Sequence, residues 1–529
     1  MSDRLSLLQA EADVDNAFAS NALGQLPFAK AAWTILSFSE DLHLFQLSKL
    51  EADQAAIYAD GLMNALTYPL RICHQTCAKG PFNFDRKLVN EEYQLASDWL
   101  DAAEGYSQFC TLFPLFHAGD ITLRIDGNRL VASDWTEQDL SYEAYDRFVG
   151  KREMTAERIL DANLVHREVR TSMRRNGGVY SVDFSAKLLL TLVAAFGEYF
   201  DERHSLPGTW TFSCFTLSQY RAVFTCLQCM TYGWFVARQI ASNDGATAVA
   251  FSSAVWTPRK SALVALVARH TGVPKPEVQK ILTYLTFGEV GVRSPDIAIQ
   301  PLVDLTNGQY AISPFVLTNV NAERNLCVLL NQIPADRKIY SQLVNEKENE
   351  LRRRIQETLQ GLDLQFRHGD VNGTDIDLAI VDHAAKLCLC LEIKWFIEPA
   401  EVRELRERSE EIRKGVSQAL AIAKQVKDRS ARVLSLLQID HSYEVMAVVG
   451  SENSIGHARV QHLDVPVVKV WQLAAKIRDE GLREAIRWLR SREYLPVEGK
   501  DFQVTTVEFV SGPWTANWYG LAPISAASF

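Results

Sequence analysis

Asp375 and Asp377 stand at the head of one apolar run, and Glu392 and Lys394 close the next. Three acids and an amine on strands that could be wholly apolar call for a chemical reason. Carboxylates brought together repel one another unless a cation neutralises them. A pair of acids with an open edge suits Mg²⁺, a hard ion that takes few protein carboxylates and keeps several waters. Such an ion polarises a phosphoryl oxygen and activates water; a neighbouring lysine steadies an attacking hydroxide or a charged phosphate transition state. On spacing alone, the same residues also suit a strand pair whose acids face solvent beside a salt-bridging lysine.

The elements around them decide between these readings. Residues 375–381 and 387–393 flank the small polar stretch Asp382–Lys386, which predicts a β-hairpin. Side chains alternate along a strand, so Asp375 and Asp377 share a face, as do Glu392 and Lys394. One register sets Asp377 opposite Glu392 and Asp375 opposite Lys394, across a four-residue turn at His383–Lys386. Another sets Asp375 opposite Glu392 across a two-residue His383-Ala384 turn. His-Ala lacks the Asn-Gly chemistry of a two-residue hairpin loop, which favours the first. A helix over Tyr340–Leu359, stopping at Gly361, leads to a strand at Leu362–Phe366, and a helix over Ala400–Val426 follows the hairpin.

With Asp377 as the motif aspartate and Glu392-Ile393-Lys394 as E-x-K, the pattern over about 340–470 resembles the PD-(D/E)xK nuclease superfamily. No proline precedes the aspartate, and Asp375 competes with Asp377 for its role. The resemblance implies a restriction-endonuclease-like α/β core with a mixed sheet. It also implies Mg²⁺ or Mn²⁺ held by Asp377, Glu392 and the backbone of Ile393, with Lys394 catalytic. From Glu346, Glu348 and Glu350 on the upstream helix, it points to Glu350 as a further acid, and to Gln418 on the later helix as a support. The implied activity is endonucleolytic hydrolysis of phosphodiesters, with DNA the expected substrate. A non-catalytic nucleic-acid-binding or scaffolding protein on the same fold is the alternative. By architectural analogy alone, a large helical region joined to such a module resembles effectors of bacterial restriction or anti-phage defence. Further partners would then be a second copy of the chain or another protein of the defence system.

Composition sets the outer limits. At 529 residues the chain exceeds one ordinary core, and 47% hydrophobic residues exclude a disordered protein. The start Met-Ser-Asp-Arg does not read as a secretory signal. The apolar stretches Leu188–Phe196 and Met230–Ala237 fall short of the roughly 20 residues a membrane helix needs. The net charge of −10 is unevenly placed: residues 1–150 hold 22 acids against 10 bases, and the remainder 43 against 45. The later two-thirds can therefore approach a phosphate backbone without a general electrostatic penalty. Cys226-Leu-Gln-Cys229 and Cys73-His-Gln-Thr-Cys77 offer possible zinc ligands, but each lies in an apolar or helical stretch without a partner at finger spacing. Buried reduced thiols and a cytoplasmic, membrane-free location are expected.

These features predict a multidomain α+β chain. Residues 1–250 read as mainly helical, over Leu44–Ala65, Glu91–Phe109, Ala156–Arg174 and Leu217–Ile240, with a small hairpin at Gly119–Ser133. Residues 251–335 read as a helix-turn-helix-like segment broken at Thr271-Gly272 and Pro274-Lys-Pro276, then a hairpin from Ile297–Leu305 to Tyr310–Ile312. Many such helix pairs only pack against other helices, and others present the second helix to a groove in DNA. Residues 336–529 are expected to form the nuclease-like domain, with strands Tyr443–Gly450 and Val465–Val470, helix Trp471–Arg490 and aromatic strands around Phe502–Tyr519.

Overall fold

The computed structural model describes residues 2–524, apart from 48, 51, 81–84, 134, 151–161, 202, 203, 205, 372, 373, 397–401 and 429. The chain is a mixed α+β protein built around one five-stranded sheet and one large helical core.

The sheet comprises β1 (Gln365–Val371), β2 (Thr374–Asp382), β3 (Leu387–Lys394), β4 (Glu444–Ser451) and β5 (Val467–Lys469), in the order β5-β4-β3-β2-β1. The three strands β1 to β3 form an antiparallel meander, while β4 and β5 run parallel to β3. The flanking helices are α1 (Pro334–Thr358), α2 (Val402–Lys427), α3 (Ala431–Leu437) and α4 (Val470–Ser491). Leu378, Ile380, Leu389 and Leu391 are buried in one cluster with Leu351 and Ile355 of α1 and Ile477 of α4. Ala379, Val381, Cys388 and Cys390 pack with Ile422 of α2 and Val433 and Leu437 of α3. Both faces are thus covered, which is why β2 and β3 read as nearly continuous apolar runs. The first strand begins at Gln365, later than the expected Leu362, because Gly361 (φ 95°) and the residues after it complete the turn out of α1.

The helical core draws on residues both before and after residue 250. Trp33, Leu66, Trp99 and Phe224 share it with Leu263, Val267, Ile281 and Phe315. Helices Lys260–Thr271 and Lys275–Tyr284 both rest on the long helix Leu217–Asn243. Ile333 and Tyr340 root the start of α1 in this core, and Trp395, the residue after β3, is buried there as well. The expected helix Leu44–Ala65 is two helices, Phe28–Leu47 and Ala52–Thr76. Helix Ala162–Ser172 matches the end of the Ala156–Arg174 expectation, whose residues 156–161 lie outside the described residues.

The last two strands of the chain's 336–529 segment lie outside the five-stranded sheet. Phe502–Ser511 and Trp514–Pro523 form a hairpin that adds to Thr122–Asp126 and Arg129–Ser133, with Trp514–Pro523 parallel to the latter. That sheet buries Leu123, Leu130, Phe509 and Ala516 against Leu7, Val14 and Phe109. Helix Glu137–Phe148 ties it to the other sheet: the Tyr145 hydroxyl accepts from the Lys469 amide at 3.0 Å, and the Asp146 carboxylate accepts from the Ile455 amide at 2.7 Å.

Candidate active site

The register of β2 and β3 follows from their turn. His383–Lys386 is a four-residue connection, closed by the Ala385 amide donating to Asp382 Oδ1 at 2.8 Å. Lys386 takes a left-handed backbone (φ 53°). Pairing then runs from Asp382↔Leu387 to Leu378↔Leu391, and its continuation sets Asp377 opposite Glu392, the first of the two registers weighed above. The ladder stops at Leu378↔Leu391, and beyond it the Asp377 carboxylate takes over the role of a backbone carbonyl, accepting from the Ile393 amide at 2.7 Å. Asp375 is exposed and sits opposite Asp370 on β1, so Asp377 is the aspartate that meets Glu392.

Glu392 is 1% exposed, with Oε1 accepting from Lys394 Nζ at 2.8 Å and Oε2 buried without a hydrogen-bond partner. Burial raises its pKa to about 7, the Asp377 charge adds to the rise, and Lys394 only partly offsets it. The Asp377 carboxyl is also raised, by burial first and by Asp375, against the pull of the Ile393 amide, Lys394 and Arg352. Burial works against the Lys394 charge, yet Glu392, Glu348 and Asp377 together hold its pKa above the ordinary lysine value. Lys394 is therefore a fixed cation. Helix α2 comes close enough to cover this pair because residue 415 is glycine: a Cβ there would lie 3.2 Å from Lys394 Cε and 3.4 Å from Glu392 Cγ. Three residues on, Gln418 Oε1 faces Lys394 Nζ at 3.4 Å, long for a hydrogen bond.

Glu350, expected as the further acid, is not brought to this site. It accepts from Lys347 at 2.8 Å and lies near Arg354; burial would raise its pKa, but Lys347, Arg354 and Arg353 hold it below the usual range. The acid that α1 supplies is Glu348. Two helical residues diverge by about 200°, so the two glutamates point apart. Glu348 Oε1 lies 3.5 Å from the Trp395 amide. Its pKa is pushed up to about 7, chiefly by burial and then by Asp377, with Lys394 opposing. One turn later Arg352 Nη1 approaches the Asp377 carbonyl at 3.4 Å. A sequence signal for Glu348 existed: in Tyr340-Val344-Glu348-Leu351-Ile355 it is an acid in an apolar stripe spaced at helical intervals. Gly415 carried no comparable signal.

Comparison with models of protein families, with curated proteins and with solved structures finds no match. The chemistry must be argued from the residues themselves. Asp377 and Glu392 converge, both are held above the carboxylate range, and Glu392 Oε2 has no hydrogen-bond donor. A divalent cation would relieve all three conditions. Among the described residues no group of three or more His, Cys, Asp and Glu side chains could hold a metal ion. The two oxygen donors Asp377 and Glu392 fit Mg²⁺, which binds through one or two carboxylates and keeps its waters. Cys73, Cys77, Cys226 and Cys229 form no disulfide and are buried in the helical core, and Cys388 and Cys390 face each other at 3.9 Å inside the sheet.

Proposed function

We propose that the chain is a metal-dependent nuclease that hydrolyses phosphodiester bonds, with DNA as substrate. The observation that carries this reading is the convergence of Asp377, Glu392 and Lys394 at one end of β2 and β3, with a fixed ammonium beside two carboxylates that burial disfavours as anions. The antiparallel meander between α1 and α2 supports the resemblance to the PD-(D/E)xK superfamily. Asp377, Glu392 and the backbone of Ile393 would hold Mg²⁺ or Mn²⁺. When bound, the ion polarises a phosphoryl oxygen and lowers the pKa of a water. Lys394 supplies positive charge where the phosphate gains negative charge, and Glu392 keeps its ammonium aimed. Gln418 limits where Lys394 can swing, and the Ile393 amide fixes one Asp377 oxygen so that the other stays available. An N-terminal body that restrains this activity in an anti-phage setting belongs to the same proposal.

The competing reading, a binding protein on the same fold, draws on one feature: Lys394 closes on Glu392, so each already has a counterion. Cleavage of duplex and single-stranded DNA and RNA with Mg²⁺ or Mn²⁺ decides between them. The native chain should cut DNA, and Glu392→Gln and Lys394→Met should each lose activity by about a hundredfold or more with the fold intact. Native-like cleavage by Glu392→Gln, or no cleavage of any substrate by the native chain, overturns the proposal.

A further inference from the structure

Two neighbouring helices carry a local excess of positive charge. Residues 257–288 contain Arg259, Lys260, Arg269, Lys275 and Lys280 against the single acid Glu277, whereas the whole chain carries −10. Structurally this unit is a helix-turn-helix. Lys260–Thr271 and Lys275–Tyr284 are joined by the three-residue turn Gly272-Val273-Pro274, with Gly272 in the left-handed region (φ 72°) that an L-residue rarely adopts. Leu263, Val267, Val278, Ile281 and Leu282 are buried in the helical core. The apolar faces of both helices are therefore already used.

What remains is polar and outward. On the second helix Lys275, Gln279 and Lys280 are exposed and Thr283 is half-buried. Their spacing places all four on one side of the helix. Arg259 and Ser261 are exposed at the start of the first helix. The hairpin Leu302–Asp304/Tyr310–Ile312 lies alongside, bridged to the unit through Trp256↔Ile312 and Arg259↔Gln309. Between these elements runs a groove of about 650 Å³ lined by Lys260, Lys275, Gln279, Thr283, Asp304 and Glu289. Lys260 neutralises Asp304 within it.

We propose that this unit binds duplex DNA, with Lys275–Tyr284 in the major groove and Arg259 at the phosphates. The inference rests on the nuclease reading for its purpose: the unit delivers duplex to the Asp377–Glu392 site. The B-form major groove admits an α-helix, and lysine and glutamine are suited to the edges of guanine and adenine respectively. The A-form major groove of duplex RNA is too narrow to be read in this way. Net positive charge on this unit supplies sequence-independent attraction to the phosphate backbone.

The test is fluorescence anisotropy of the full chain with labelled duplex DNA in EDTA, where binding is read without cleavage. Lys275→Ala/Gln279→Ala/Lys280→Ala should bind at least tenfold more weakly, and Arg259→Ala, which removes a phosphate contact, should lower the slope of log affinity against log salt by about 1. Lys275→Glu/Lys280→Glu should bind more weakly still at an unchanged thermal midpoint. Native affinity in the triple variant overturns the inference, as does tighter binding of duplex RNA or single strands through the same residues. A native chain that binds duplex through this helix yet cuts nothing sinks the nuclease reading and leaves the DNA-binding unit standing.

Discussion

Two buried carboxylate clusters in this molecule look alike by burial and differ in everything that matters for chemistry. In the helical core, Glu40 is wholly buried and its pKa is pushed up to about 7 by burial, against Arg238 and hydrogen bonds from Ser313 and the Phe315 amide (2.9 Å). Asp41, next to it, contacts the Arg238 guanidinium and accepts from the Tyr93 hydroxyl. Burial drives the neighbouring His43 down to about 4, so Arg238 is the cation there near neutral pH. Glu40 even has an unpartnered oxygen, Oε2, as Glu392 does. An orphaned buried oxygen is therefore no mark of a metal site by itself. The distinction is access and convergence. Arg238 is 2% exposed and seals its cluster, whereas Lys394 keeps 16% of its side chain in solvent beside a half-buried Asp377 aimed at Glu392. One cluster ties helices together; the other can receive a ligand.

The sharpest way to break this contrast is to remove each cation. Arg238→Met strands Glu40 and Asp41 in the core and should cost about 3–5 kcal/mol in urea unfolding. Lys394→Met, where water can reach the remaining acids, should cost about 1–2 kcal/mol and lose cleavage instead. Equal stability losses would erase the distinction. Protons give the next largest effect. A carboxyl with a folded pKa above its unfolded value is more protonated in the folded state, so its stabilisation is fully present below pH 4.5 and is lost as pH rises through about 7. Glu40→Gln should therefore flatten the fall in stability between pH 4.5 and 7; an unchanged pH profile would mean that Glu40 finds a charge partner. The smallest effect sharpens the site itself. Glu348→Gln should slow cleavage by about tenfold while Glu350→Gln stays within about twofold, and the reverse order would return the supporting acid to Glu350.

How much of this was legible depends on how local the determining information is. The hairpin register could be read because His-Ala makes a poor two-residue turn, a choice settled within a few residues. Glu348 and Glu350 differ only in helical phase, and the stripe Val344-Glu348-Leu351 is the local signal that Glu348 faces the Trp395 amide while Glu350 turns to Lys347. The break between Phe28–Leu47 and Ala52–Thr76 escaped notice because apolar periodicity continues across it. The cluster of Glu40 with Arg238 and the pairing of Leu130 with Ala516 join residues far apart in sequence, and no local pattern encodes them. For the same reason no local pattern marks that the helical core draws on residues both before and after residue 250.

The sheet shared by Thr122–Ser133 and Phe502–Pro523 also sets a schedule for synthesis. A ribosome making this chain delivers the first hairpin early and its partner strands last. At about 5–20 residues per second, the open edge of Arg129–Ser133 waits on the order of tens of seconds for Trp514–Pro523. Until then helix Glu137–Phe148 lacks Phe502, one of the residues it packs against.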